Sequence, residues 1–546
     1  MTSCPAICLG LPLWPQPLAP VHSGAVSALV AAIPLAVVLV LMGVLRKSGL
    51  FAAACGLTVA LLLAVGVWGM PAQLAGLTLA YGWAFALWSI LWTVFNGLWL
   101  YHLAQDTGSF GNLRRWMERC APGERAAQAI LVAFCFGALL EGSAGFGAPV
   151  AITAFLLVGL GFAPRLAVLV CLIANTAPVA FGGIGVPIVA LAGVTGLDVM
   201  KLSAMVGRQL PFLSLLLPAY LAWVVGGRSG LARAWPVALV AGLSFAAVQF
   251  MVSNLWGPYA TDVLSSLAAI VATVAFLKVR SSPHQAAALT PSPAASPDAA
   301  APQSSREALS AWLPWALISA VMIAWSYFRL FPLGQVSIPI PGLHDRVLIT
   351  LYQKPYAAIF TFQPLVGGTA VLATVLLTAL VFGAGPRVLA RTGVAALRQL
   401  RVPGPVVLLI VSLSYLYNYS GMAYTLGAAL AATGVLFPFV SAFLGWVACF
   451  LSGSDTSSNL LFGNLQVAAA HQLNLDPVLL AATNSSGGVA GKMISPQNIA
   501  VGVTTVGLAG AEGQVLRSTF WHSVLFAALV GALAFVQAYA ATWMIP

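Results

Sequence analysis

The sequence contains very little charge. Its 546 residues include 23 Lys and Arg and 12 Asp and Glu, so that only 6% of the chain is charged, whereas a soluble domain has about 25%. Apolar residues make up 60% of the chain, and the mean hydropathy is +0.97. This balance excludes a soluble globular protein, a coiled coil and a disordered chain. It predicts a protein that crosses a membrane many times.

Motifs that define several other functional classes are also missing. The seven cysteines form no CxxC pair and no His–Cys set, so we expect neither a disulfide framework nor a metal site, and no cofactor. There is no GxxxxGK[ST] run for a nucleotide-driven pump, and no Ser–His or His–Asp set for a membrane-embedded enzyme. The net charge of +11 comes from basic residues scattered between apolar runs. That distribution is typical of membrane orientation signals and not of nucleic-acid binding.

The apolar runs predict how the chain crosses the membrane. Ten segments have the length of simple spans, about 20 residues. Four longer segments are interrupted near the middle by Gly, Pro, Ser, Asn or charge: 126–162, 166–197, 437–471 and 476–509. Basic loops should be cytoplasmic, and three segments separate the basic loops 102–125 and 228–233. An even number of crossings must join these loops, so 126–162 is predicted to be a re-entrant hairpin, with 437–471 as its counterpart.

The predicted fold is an all-α polytopic membrane protein with about 12 crossings, two re-entrant helical hairpins and two inverted repeats with discontinuous helices. It places 17 of the 23 basic residues on the cytoplasmic side. The predicted domains are an extracytoplasmic segment 1–24, a first repeat 25–227, a connecting helix pair 228–280, a flexible cytoplasmic linker 281–306 rich in Ala, Ser and Pro, and a second repeat 307–546.

Short motifs recur in the two halves in the same order. LEGSAGFGAP (140–149) precedes ANTAPVAFGGIGVPI (174–188), and LSGSDTSSNL (451–460) precedes TNSSGGVAGKMISPQN (483–498). The first predicted hairpin opens from the inside and the second from the outside, so the repeats are inverted. Inverted repeats with broken helices indicate a secondary transporter whose site lies between the repeats, near the middle of the membrane.

The interrupted stretches supply the candidate substrate site. Irregular backbone inside a bilayer must be buried in protein or line a wet cavity, and the hydroxyls, amides and glycines there suit a carboxylate with a neighbouring hydroxyl. The candidate substrate-binding residues are Ser143, Gly145, Asn175, Thr176, Ser454, Thr456, Ser457, Ser458, Asn459, Asn484, Ser485 and Ser486. The run SYLYNYSGM (414–422) adds Tyr417 and Tyr419, either as a cavity wall or as interfacial anchors.

Three charged residues lie in the same stretches: Glu141, Asp455 and Lys492. A charge at the centre of a membrane costs about 3 kcal/mol on insertion scales, so each is expected to have a function or a partner. Lys492 is predicted either to bind the substrate carboxylate or to pair with Glu141 or Asp455. One of the two carboxyls is predicted to carry a coupled proton; the alternative is that they cap half-helices.

These stretches resemble a known family. LLEGSAGFGAPVAI, NTAPVAFGGIGVPI, FLSGSDTSSNLLFGNLQ and NSSGGVAGKMISPQNIAV look like signature stretches of the L-lactate permease family, as do VSALVAAIPLAVVLVLMGVLRK near the start and QAYAATWMIP at the end. That family is similar to the ion-transporter superfamily, whose members have paired re-entrant hairpins. The resemblance implies uptake of L-lactate, and also D-lactate and glycolate, with protons across the bacterial inner membrane.

The coupling ion has an alternative. Asn, Ser and backbone carbonyls in broken helices also make Na⁺ sites, so a Na⁺-coupled symporter of another small carboxylate is the second hypothesis, and a membrane-embedded enzyme is disfavoured. The expected partners are lactate and related 2-hydroxymonocarboxylates, protons and the lipid bilayer, with no nucleic acid. Segment 1–24 and the long linker depart from what the resemblance leads us to expect, but neither touches the motifs.

Overall fold

The structure, a computed structural model, is 79% helical. It describes residues 13–41, 45, 47–120, 124–143, 148–280, 305–351, 353–508 and 511–546. The helices of the first half are α1 (Gly24–Leu39), α2 (Gly49–Gly66), α3 (Ala72–Phe85), α4 (Trp92–Asp106), α5 (Ser109–Cys120), α6 (Arg125–Ala129), α7 (Gly137–Ser143), α8 (Ala148–Gly159), α9 (Pro164–Ala174), α10 (Gly182–Thr195), α11 (Val199–Val206), α12 (Leu210–Leu255) and α13 (Thr261–Arg280). Two π-helical segments, Ala86–Leu91 and Ile130–Phe136, join α3 to α4 and α6 to α7.

The second half has a similar mixture of long and short helices. They are α14 (Ser305–Tyr327), α15 (Gly367–Phe382), α16 (Pro386–Leu400), α17 (Pro403–Ser420), α18 (Met422–Leu430), α19 (Phe437–Ser452), α20 (Asp455–Gln472), α21 (Pro477–Lys492), α22 (Pro496–Thr505) and α23 (Glu512–Tyr539). The predicted linker 281–306 lies almost wholly outside the described residues, and so does the first half of the 1–24 segment.

The helices have the length and surface of membrane spans. Among the described residues, seven helices are long and apolar enough to cross a membrane, or up to nine if each of two bent pairs counts as one span. Shorter apolar helices of 10–17 residues add to these. Large apolar side chains on their outer faces are exposed, for example Leu62 (67%), Leu380 (77%) and Trp521 (73%). Such a surface is stable against lipid and not against water.

Two small sheets are the part of the fold that the all-α prediction omitted. β2 (Val336–Pro339) pairs antiparallel with β5 (Ile359–Phe362). In the other sheet β1 (Trp14–Pro15) runs parallel to β3 (Val347–Ile349), which pairs antiparallel with β4 (Lys354–Pro355). These strands are two to four residues long, too short to show a clear alternating pattern in the sequence.

Both predicted hairpin segments fold back on themselves. In hairpin 1, formed by Arg125–Ser143 and α8, a Cβ on Gly137 would lie 3.5 Å from Thr153 Cγ2 of the returning helix. In hairpin 2, formed by α19 and α20, Ser458 donates a hydrogen bond to the Gly445 carbonyl (3.0 Å) across the turn. The two helices of each hairpin are therefore antiparallel neighbours.

A broken helix follows each hairpin. In broken helix 1, formed by α9 and α10, the parts before and after the interruption are bent by 66°. Gly183, Ile184 and Gly185 all have φ between +53° and +72° at this break, a conformation that strains a β-branched residue such as Ile184. Broken helix 2 consists of α21 and α22, and a new helix starts at Pro496, which suits the first turn of a helix.

Each hairpin packs against the broken helix of the other half. A Cβ on Gly502 of broken helix 2 would lie 3.3 Å from Val150 Cγ1 of hairpin 1. Similarly, a Cβ on Gly463 of hairpin 2 would lie 2.5 Å from Leu191 Cδ1 of broken helix 1. This crossed packing brings the end of α7, the turn of hairpin 2 and the breaks of both broken helices to one cavity.

Candidate functional site

The turn of hairpin 2 follows directly from its sequence. Gly453 has a φ of +70°, a left-handed conformation that glycine adopts without strain, and it ends α19 at Ser452. Ser454 then caps α20: its hydroxyl accepts a hydrogen bond from the Ser457 N–H at 3.3 Å. Asp455 is consequently the first residue of a new helix in the interior of the protein.

Asp455 is held by neutral hydrogen-bond donors. The residue is 3% exposed, and its Oδ2 accepts hydrogen bonds from Ser485 Oγ (2.6 Å) and Asn459 Nδ2 (3.2 Å). Its Oδ1 has no hydrogen-bond partner among the described residues. A Cβ on Gly488 would lie 2.2 Å from that oxygen, so the carboxyl fits only because position 488 has no side chain.

A network of amides fixes the hairpin behind Asp455. Asn484 donates to Asn459 Oδ1 (3.0 Å) and to Ser458 Oγ (3.4 Å). Asn459 in turn donates to the Pro187 carbonyl of broken helix 1 (3.2 Å). The network therefore joins hairpin 2 to both broken helices. Buried polar groups that are satisfied in this way favour one arrangement of the backbone.

Glu141 of hairpin 1 forms a buried ion pair with Lys492 of broken helix 2. The Lys492 side chain is 8% exposed and that of Glu141 is 3% exposed. Glu141 Oε2 also accepts a hydrogen bond from Asn175 Nδ2 (3.0 Å), and a Cβ on Gly182 would lie 2.9 Å from Oε1. Breaking a buried pair by removing one partner costs about 3–5 kcal/mol, because the other charge stays buried and unpaired.

A cavity of about 440 Å³ connects the two carboxyls, within the range of roughly 300–1,000 Å³ that small-ligand sites occupy. Its polar lining consists of Ser48, Glu141, Gln399, Ser452, Ser454, Asp455, Thr456, Ser457, Lys492, Gln497 and Asn498. Valines and other apolar residues, most of them in α10 and α17, line the rest. In the described part of the chain, no group of three or more His, Cys, Asp or Glu is placed to hold a metal ion.

The sequence-predicted site residues divide into those at the cavity and those behind it. Six line the cavity: Glu141, Ser454, Asp455, Thr456, Ser457 and Lys492. Five lie behind it and hold the two carboxyls or the hairpin through hydrogen bonds: Asn175, Ser458, Asn459, Asn484 and Ser485. The predicted set therefore contains both residues that line the cavity and residues that support them.

The remaining predicted residues in the interruptions have other surroundings. Ser143 donates to the Leu139 carbonyl of its own helix (2.7 Å). The hydroxyls of Thr176 and Ser486 are buried without a partner among the described residues. Gly145 lies outside the described residues.

Tyr417 and Tyr419 do not line the cavity. Tyr417 donates to the Ala31 carbonyl of α1 (2.6 Å), and the ring of Tyr419 stacks on Tyr356 with centroids 4.1 Å apart. Gln16 donates to the Tyr419 carbonyl (2.9 Å) from the chain before α1. These contacts hold the end of α17 that is remote from the cavity.

Several functional candidates were missed by sequence reasoning. Gln497 and Asn498 line the cavity directly after the break in broken helix 2, and their place in the motif ISPQN was the available signal. Gln399 comes from the basic amphipathic helix α16, outside the four interrupted segments. Asp262 is buried beside hairpin 1 and was overlooked because no helix break accompanies it.

Comparison with known proteins identifies the family. A sequence profile described as L-lactate permease matches residues 27–541. The chain belongs to the L-lactate permease family. The glycolate permease GlcA of Escherichia coli K12 is 41% identical, with 97% of this chain and 99% of that protein covered. The L-lactate permease of Bacillus subtilis 168 is 40% identical, with 98% and 100% covered.

The resemblance suggested by the motifs is thus confirmed, and membership of this family makes the chain a multi-pass membrane transporter rather than an enzyme. A solved structure, MtrF of Neisseria gonorrhoeae, which represents a class of antimetabolite efflux pumps, is 14% identical with a TM-score of 0.47. That match covers 92% of this chain and 97% of MtrF.

Proposed function

We propose that this protein takes up L-lactate, D-lactate and glycolate together with protons across the bacterial inner membrane. Family membership and the names of the relatives, an L-lactate permease and a glycolate permease, support the substrate class. The observation that carries the mechanism is the buried pair of Glu141 and Lys492 at the wall of the cavity. A cation there can bind a carboxylate, and a carboxyl beside it can bind the proton.

The cavity offers suitable groups for a 2-hydroxy acid. The substrate carboxylate would replace Glu141 as the partner of Lys492, forming a charge-assisted hydrogen bond. Ser454, Thr456 and Ser457 line the same cavity at the start of α20, where hydroxyls and free N–H groups can bind the hydroxyl and the second carboxylate oxygen. The apolar part of the wall would face the substrate methyl group.

Proton coupling follows from competition for Lys492. While Glu141 is ionised, it neutralises Lys492, and a substrate anion would add an uncompensated negative charge to a buried site. Protonation of Glu141 releases Lys492 for the substrate and keeps the net charge of the site unchanged. One proton therefore enters with one substrate anion, and a pH gradient alone can drive accumulation.

The full topology is part of the same proposal. We assign about 12 crossings, with hairpins 1 and 2 re-entrant, and two inverted repeats, 25–227 and 307–546. Each hairpin packs against the broken helix of the other half. A two-fold axis relating the two halves would exchange these two contacts, so they support the proposed repeats. The connecting pair 228–280 and the cytoplasmic linker 281–306 would join the repeats.

The position of the cavity indicates which conformation this is. Ser48 follows Lys47, and Gln399 lies between Arg398 and Arg401; these basic residues are among the 17 that the proposed topology places on the cytoplasmic side. The sheets and Tyr419 lie at the other end of α17, roughly 24 Å along its axis from Pro403. The cavity would thus open towards the cytoplasm, as in the state that releases substrate.

Uptake of labelled L-lactate into proteoliposomes with an alkaline interior tests the function. We expect accumulation that a protonophore abolishes, that unlabelled D-lactate and glycolate compete for, and that succinate leaves unchanged. Replacing Na⁺ by K⁺ at constant pH should have no effect; dependence on Na⁺ would instead support the second coupling hypothesis. Uptake that is indifferent to the pH gradient would contradict proton coupling.

A further inference from the structure

A buried carboxyl at the start of α13 has no part in the mechanism described above. Asp262 is 1% exposed, and neither of its carboxyl oxygens has a hydrogen-bond partner among the described residues. Glu141, in contrast, is bonded to Lys492 and Asn175. An ionised carboxylate that is removed from water without any donor is strongly disfavoured. Among the described residues, the surroundings of Asp262 therefore favour its neutral, protonated form.

Asp262 lies against the tip of hairpin 1. A Cβ on Gly142, the residue after Glu141, would lie 2.8 Å from Asp262 Cβ. Glu141 of hairpin 1 and Lys492 of broken helix 2 are the charged groups, within the described part of the chain, whose fields act on Asp262. With Asp262 neutral, these three side chains together have no net charge.

The same end of α13 also contacts the break in broken helix 1. A Cβ on Gly185 would lie 2.8 Å from the carbonyl oxygen of Pro258, just before α13. Gly185 belongs to the break whose glycines, Gly182 and Gly183, line the cavity. Any rearrangement of hairpin 1 or of this break therefore changes the surroundings of Asp262.

Glu141 and Lys492 line the cavity, whereas Asp262 is not part of its wall. Eighteen residues separate Asp262 from Arg280 at the cytoplasmic end of α13, roughly 27 Å along a helix. In the topology proposed above, Asp262, at the opposite end of α13 from Lys278 and Arg280, lies towards the extracytoplasmic side.

We propose that Asp262 is a second proton-carrying carboxyl of the coupling site, through which protons from the extracytoplasmic side reach Glu141. The inference rests on the proposed function of proton-coupled uptake. The proton leaves the Asp262 carboxyl and binds the Glu141 carboxylate, which releases Lys492 to the substrate. The Asp262 carboxylate then takes up a proton from the extracytoplasmic side, so that each cycle moves one proton with one substrate anion.

Two transport assays on Asp262→Asn in proteoliposomes test this role. Exchange of labelled for unlabelled lactate at equal pH needs substrate binding and the conformational change but no release of the proton. Net uptake driven by a pH gradient needs substrate binding, the conformational change and also release of the proton. Thr261→Val is the control, because Thr261 is also buried and next in sequence but does not titrate. It should resemble the wild type in both assays.

Asp262→Asn is expected to keep exchange but to lose net lactate uptake under the pH gradient. Normal net uptake by this variant would overturn the proposal, since the amide resembles the neutral acid in shape but cannot give up a proton. If exchange is lost as well, Asp262→Glu decides: recovery of both activities supports a titratable group, and continued loss shows a packing role. A wild-type protein without gradient-driven uptake would refute the proposed function itself, which separates the two failures.

Discussion

Hairpins 1 and 2 each bring one carboxyl into the interior, but their partners differ. Glu141 of hairpin 1 is paired with the Lys492 cation, whereas Asp455 of hairpin 2 accepts hydrogen bonds from the neutral groups of Ser485 and Asn459. An anionic substrate can compete for a cation, but it cannot replace a hydroxyl or an amide as the donor to a carboxylate. We therefore propose that hairpin 1 carries out proton exchange and that hairpin 2 positions the helix start.

Removal of the cation should have the largest effect. Lys492→Ala leaves Glu141 buried without its partner, so we expect a loss of about 3–5 kcal/mol in stability and no lactate uptake. The double variant Glu141→Gln/Lys492→Ala should regain most of the thermal stability in detergent but none of the uptake. Uptake at the wild-type rate by Lys492→Ala would mean that this cation does not bind the substrate.

A methyl group beside either carboxyl should disturb transport less. Gly488→Ala would press on Asp455 and Gly182→Ala on Glu141, since both built Cβ positions overlap carboxyl oxygens; overpacking of this kind costs about 1–3 kcal/mol. We expect lower uptake in both variants. Gly76→Ala on α3 is the matched control, because no atom lies within 4 Å of its built Cβ. Equal lactate uptake by all three variants would argue against close packing of the Asp455 and Glu141 carboxyls against positions 488 and 182.

Neutralising the second carboxyl should distinguish the hairpins. Asp455→Asn keeps an oxygen that can accept from Ser485 and Asn459, so we expect reduced uptake that still depends on the pH gradient. Glu141→Gln should instead keep lactate exchange and lose gradient-driven accumulation. The same two assays serve both variants, and an Asp455→Asn protein that exchanges lactate without accumulating it would reverse the assignment.

The smallest change is expected at a tyrosine outside the cavity wall. Tyr417→Phe removes a hydrogen bond to the Ala31 carbonyl, which is worth about 1 kcal/mol of stability. Because Tyr417 does not line the cavity, the KM for lactate should stay at the wild-type value while the unfolding temperature decreases slightly. A clear rise in KM would place Tyr417 on the substrate pathway.

Much of the local structure could be predicted from the sequence. The long apolar runs identified a membrane protein, and clusters of Gly, Pro and Ser located the turn at Gly453 and the bend after Asn175. Ser454 and Asp455 were also recognisable as a helix start. These signals depend on neighbouring residues, which a single sequence displays directly.

Contacts between the halves could not be predicted in the same way. Lys492 had two possible carboxyl partners in the sequence, and its choice of Glu141 depends on how residues 351 positions apart pack. Asp262 gave no signal because it starts an otherwise ordinary apolar helix. Gln16 likewise binds the Tyr419 carbonyl across 403 positions. Such pairs are determined by tertiary packing and not by periodicity.

In the proposed mechanism, Lys492 leaves its ion pair with Glu141 and pairs with the substrate carboxylate, while Glu141 gains a proton. Calorimetric titration of the purified protein with L-lactate, in two buffers of different ionisation enthalpy, measures protons taken up on binding. Linkage requires the lactate affinity to fall with rising pH wherever a proton is taken up. We predict uptake of one proton per lactate by the wild type and none by Glu141→Gln. Equal proton uptake by both proteins would contradict the account.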